Sequence, residues 1–96
     1  MRYLPIPGIV REIICGMNIL IPTRPASEFC KSILPLPILW AAAWDALSKG
    51  KSFEYNVEAH SKILRISREQ AEMNLRNFCE DLCAKGFMLK IEDSED

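Results

Sequence analysis

The chain has 96 residues, enough for one hydrophobic core and too few for two independent ones. Its net charge of −1, from 12 basic against 13 acidic residues, excludes the strongly cationic coat of a general nucleic-acid or polybasic membrane binder. An apolar content of 49% suffices for a packed interior, yet no stretch reaches the roughly 18 apolar residues of a membrane span.

Residues 1–8, MRYLPIPG, hold two prolines and a glycine and read as an extended arm. Apolar residues then fall at 9, 10, 13, 14, 17, 20 and 21, the spacing of an amphipathic helix, with Arg11, Glu12 and Asn18 on its other face. Gly16 weakens that helix by about 1 kcal/mol relative to alanine. The stretch from Asn18 to Pro22 also fits a short strand. After a loop at 23–26, Ser27 is placed to cap a short helix from Glu28 to Leu34, interrupted by Pro35 and Pro37.

Pro37 suits the first turn of a helix over Ile38–Ser48, whose Trp40, Ala43, Trp44 and Leu47 share one face. Lys49-Gly50-Lys51 closes it. Residues 52–56 are a brief strand or the lead into a helix ending at Leu64, and Arg65-Ile66-Ser67 is a tight connection. Ser67 and Gln70 make a capping-box pattern at the start of a long helix. Ala71, Leu75, Phe78 and Leu82 form its apolar seam, and Lys85-Gly86 ends it with a cation and a left-handed stop. Phe87–Ile91 reads as a strand; either its wing partner is missing, or it pairs with residues 51–55 or 18–21. Four of the last five residues are acids, a disorder candidate.

Residues 38–91 therefore run helix, possible strand, helix, three-residue turn, long helix, strand. Ala59, the Ile66-Ser67 turn, the Ala71–Leu75–Phe78–Leu82 seam and Lys85-Gly86-Phe87 resemble the helix-turn-helix core of a winged-helix domain. The resemblance implies a mainly α fold with a minor β element: a small winged-helix-like helical domain with an N-terminal helical extension. The expected division is an arm and helical extension over 1–35, serving dimerisation, a helix-turn-helix core over 36–91, and an acidic tail over 92–96. The function implied is a small intracellular, DNA-binding transcriptional regulator, a homodimer, reading DNA through the helix at 67–85. Lys62, Arg65, Arg68, Met73, Arg76, Asn77 and Lys90 are its expected DNA-binding residues.

The charge pattern supports a second reading. The outward face of the long helix carries Glu69, Met73, Arg76 and Glu80, and anions there repel phosphates. A winged-helix-like module that binds a protein partner, as an adaptor or inhibitor of phage type, fits that face and an exposed, adaptable Met73.

Neither reading requires an enzyme, a cofactor or a metal. Cys79 and Cys83 lie four apart on one helix, but Cys15 and Cys30 are too distant in sequence to complete a zinc knuckle, so all four read as structural thiols. His60 stands next to acid and hydroxyl residues without a nucleophile elbow and reads as an exposed helix residue. The four glycines build no phosphate cradle. Residues 1–20 lack a signal-peptide pattern, and free thiols suit a reduced, cytoplasmic chain.

Overall fold

A computed structural model describes residues 2–23 and 32–91. In chain order the elements are β1 (Arg2–Pro5), β2 (Ile9–Ile14), β3 (Met17–Pro22), β4 (Leu34–Leu36), α1 (Ile38–Ser48), α2 (Phe53–Leu64), α3 (Arg68–Ala84) and β5 (Met88–Ile91). The fold is mixed α/β, a correction to the mainly α expectation. In place of the N-terminal helix stands a hairpin. The expected Ser27-capped helix lies outside the described residues over 27–31, and its expected end, Leu34, begins β4. The acidic tail at 92–96 also lies outside them.

Local chemistry explains the hairpin. Cys15 and Gly16 both have positive φ, 53° and 78°, the pairing that a two-residue turn with the right-handed twist of strands requires. Ile14 consequently faces Met17, and the ladder runs to Ile9 opposite Pro22. β4 adds antiparallel on the far side of β3, with Leu36 opposite Asn18 and Leu34 opposite Leu20. The N-terminal arm is β1, paired antiparallel with β5 from Arg2–Ile91 to Pro5–Met88. The last strand's partner is therefore β1, neither of the two expected segments.

The three helices obey their sequence signals. Ser52 accepts a hydrogen bond from Tyr55 N at 3.0 Å and starts α2; Ser67 accepts from Gln70 N at 3.1 Å and starts α3. The capping box is half made, because the Gln70 amide donates forward to Asn74 Oδ1 at 3.2 Å. Arg65, left-handed at φ 56°, closes α2, and Gly86, at φ 87°, follows α3. Ala71, Leu75, Cys79 and Leu82 are the buried stripe of α3 and belong to one core with Trp44 and Leu47 of α1, Val57 of α2, and Ile9, Leu20 and Leu36 of the sheet. One core thus lies between the three-stranded sheet and the helices. No helix among the described residues is long and apolar enough to cross a membrane.

Candidate functional site

The hairpin has two faces. Alternation puts Ile9, Arg11, Ile13, Asn18, Leu20 and Pro22 on the side of the core, and Val10, Glu12, Ile14, Met17, Ile19 and Ile21 on the other, where Ile19 is nonetheless buried. At its tip Ile13, Ile14 and Met17 are exposed. Beside the tip, where β4 turns into α1, lies a depression of about 420 Å³ lined by Gly16, Met17, Asn18, Pro35, Leu36, Pro37 and Ile38. Ile38 is 80% exposed on its rim, with exposed Ile33 close by in sequence. Among the described residues Asn18 carries the only polar side chain in this lining.

A short polar chain sets that asparagine. Arg11 donates from Nε and Nη2 to the two oxygens of Asp45 on α1, at 2.8 and 2.6 Å, a bidentate pair. Its Nη1 donates to Asn18 Oδ1 at 2.7 Å. The hydrogen bond to Asp45 raises the Arg11 pKa, so the guanidinium is permanently charged and permanently a donor.

The two outer edges of the sheet differ. Thr23 N bonds Gly8 O at 2.8 Å, extending the ladder one pair beyond Ile9–Pro22. Bonding alternates along an antiparallel pair, so Val10, Glu12 and Ile14 face β3 while the main-chain groups of Arg11 and Ile13 point away from it. On the other side Asn18 and Leu20 face Leu36 and Leu34, which leaves Pro35 pointing outward on β4. Pro35 and the following Pro37 have no N–H, so this edge accepts hydrogen bonds more readily than it donates them.

A second concavity, of about 180 Å³, is a slot between α1 and α2 walled by alanines at 42, 43, 46 and 59 and floored by Leu75. His60 lines it, only 4% exposed, and its Nε2 has no hydrogen-bond partner among the described residues. Trp40 stacks on its ring at 4.9 Å and on Phe78 at 4.4 Å. Burial lowers the His60 pKa. His60 is thus a core residue of α2, a correction to the exposed reading.

The residues expected to hold DNA do not gather into a cationic face. Arg68 is clamped between Glu54 and Glu58 of α2, and Lys62 lies 3.9 Å from Glu58. Arg76 pairs with Glu72 at 2.6 Å and lies over the Phe53 ring, while Lys90 pairs with Glu80 at 2.9 Å. Arg65 serves as the cap of α2; Met73 and Asn77 are exposed on α3. Asn18 and Ile38, which line the depression, and Arg11, which bonds Asn18, carry no site reading in the sequence, where Arg11 and Asn18 mark the polar face of a helix or the start of a short strand and Ile38 opens a helix. Among the described residues no group of three or more metal-ligating side chains occurs, and Cys15 sits in the hairpin turn instead of a helix.

No family model matches the chain, and no curated protein matches its sequence. The fold is similar to that of TbiB1, solved in complex with the TbiA(beta) leader peptide, with a TM-score of 0.76 and 21% identity. The likeness covers 94% of this chain and 99% of that one. It replaces the expected kinship with winged-helix DNA regulators. The DNA-binding function is corrected with it: the same arrangement of helices occurs in a protein solved with a peptide, and Lys62, Arg68, Arg76 and Lys90, meant for phosphate, are engaged with carboxylates. The homodimer expectation rested on an N-terminal helix that is a hairpin instead.

Proposed function

We propose that this domain is a non-catalytic peptide-binding module that recognises the leader segment of a precursor peptide in the cytoplasm. The likeness of nearly the whole chain to TbiB1, solved with a leader peptide, carries the reading. The depression supports it independently. An apolar concavity beside the edge of a sheet is where an extended peptide lays alternate side chains while its main chain follows the strand. In this reading the peptide lies along β4, with apolar side chains over Met17, Leu36 and Ile38. Pro35 and Pro37 restrict main-chain pairing there, so side-chain burial supplies most of the affinity. Binding is the whole activity of the domain, and any chemistry on the precursor belongs to other proteins.

The outward-facing main chain of Arg11 and Ile13 makes the β2 edge a second place where a strand could add. Fluorescence anisotropy with labelled candidate leaders, TbiA(beta) leader among them, separates the two. Ile38→Glu and Met17→Glu change exposed side chains and should weaken binding at least tenfold while leaving the circular dichroism unchanged. Ile13→Pro removes an N–H that β3 does not use and should be neutral. The opposite pattern moves the peptide to β2; no binding by any leader removes the reading.

A further inference from the structure

We propose that Asn18 is the specificity-determining residue of the depression, its side-chain amide donating to a carbonyl of the bound peptide. The inference rests on the peptide-binding reading and names the group that fixes the peptide's register. An arginine has no acceptor, so the Asn18 atom facing Arg11 Nη1 at 2.7 Å must be Oδ1. Nδ2, the other end of the same planar amide, is thereby turned away from Arg11. Among the described residues it has no hydrogen-bond partner, and the other lining side chains, Met17, Pro35, Leu36, Pro37 and Ile38, have nothing to offer it.

Two further observations name the acceptor. Arg11 is neutralised by Asp45 through two hydrogen bonds, so the polar chain ending at Asn18 has no net charge with which to hold a carboxylate. A neutral amide carbonyl fits. Secondly, the strand edge beside the depression lacks donors at 35 and 37, the positions where a peptide alongside β4 would seek them. The Asn18 amide supplies the missing donor from a side chain. Arg11 and Asp45 are then positioning residues: they orient the amide and do not touch the peptide.

The test is nitrogen-15 NMR of the whole chain titrated with TbiA(beta) leader peptide, with affinities read from the same titration. The expected result is a downfield shift of the Asn18 side-chain NH2 pair on binding, with shifts at the amides of Met17, Leu36 and Ile38. Asn18→Asp keeps the acceptor for Arg11 but turns a carboxylate oxygen towards the carbonyl, and should lower affinity about tenfold or more. Arg11→Met should let the amide reorient, seen in the free protein as a broadened NH2 pair, and should weaken binding less than Asn18→Asp does. Binding with an unmoved NH2 pair and an unchanged Asn18→Asp affinity overturns the inference and leaves the peptide reading standing. If no resonance moves at all, both fall.

Discussion

The Tyr3 hydroxyl donates a 2.6 Å hydrogen bond to Glu80 Oε2, joining β1 to α3 across 77 positions of sequence. Tyr3 is buried with its ring 5.6 Å from that of Phe53, and Glu80 also receives Lys90, the β5 residue opposite Tyr3 in the ladder. The first and last strands are thus fastened to the same carboxylate.

That arrangement gives stability a defined pH dependence. Burial first, and the Glu80 hydrogen bond second, raise the Tyr3 pKa above its ordinary value of 10.0. Above about pH 10 the unfolded chain ionises this tyrosine while the folded one resists, so stability falls as pH rises. Glu80 is shifted the other way, by the Tyr3 bond and then by Lys90, so its contribution is present above the ordinary carboxylate pKa and is lost on acidification. Tyr3→Phe should lower the urea midpoint at pH 7 with little change in m-value, and should flatten the alkaline decline. Equal alkaline slopes in the two proteins would assign that loss to other groups.

The helical half of this fold was legible because its signals are local. Ser67 and Gly86 mark the ends of α3 by chemistry that acts within one turn, and Pro37 and Lys49-Gly50 do the same for α1. The N-terminal half was misread for a definite reason. In a hairpin with a two-residue turn the outward residues Val10, Ile14, Met17 and Ile21 are separated by four, three and four positions, the spacing of a helix stripe. Cys15-Gly16 carries the discriminating information, since two left-handed residues cannot continue a helix. β-Branched Ile and Val through Ile9–Ile14 lean the same way. The pairing of β1 with β5 and the Arg11–Asp45 contact depend on distant parts of the chain, so no local pattern announces them.

His60 should make the fold acid-sensitive near neutrality. Its neutral ring is stacked against Trp40, and burial lowers its pKa below the ordinary 6.5. As pH falls through that value the unfolded chain takes up a proton that the folded chain refuses, so stability declines, by at most about 1.4 kcal/mol per pH unit for one proton. His60→Leu removes a ring nitrogen that has no partner and should erase this part of the slope, as read by urea midpoints between about pH 7 and 5. A wild-type midpoint constant over that range would contradict the buried neutral imidazole.

The cysteines should separate by reactivity. Cys79 is fully buried on α3, and burial pushes its thiol up to about 12; Cys83 is raised less, also by burial, while Cys15 is exposed at the hairpin turn. Since the thiolate is the nucleophile, an aromatic disulfide reagent at pH 8 should label Cys15 quickly, Cys83 more slowly, and Cys79 only on unfolding. Mass mapping of the labelled peptides with time reads the order directly. Early labelling of Cys79 would mean that α3 opens locally under native conditions.

Leu75 and Ile63 both line the α1–α2 slot but should respond differently to truncation. Leu75 is its floor, with no exposed surface, on the α3 stripe that faces the core, whereas Ile63 is 64% exposed at its rim. Leu75→Ala removes buried methyl groups and leaves a hole between helices held on several sides, for a loss of about 2–5 kcal/mol. Ile63→Ala leaves no enclosed void and should stay within about 0.5 kcal/mol of wild type. Chemical denaturation of the two variants measures the difference. Equal costs would mean that the slot closes over Ile63 in solution and that its rim belongs to the core.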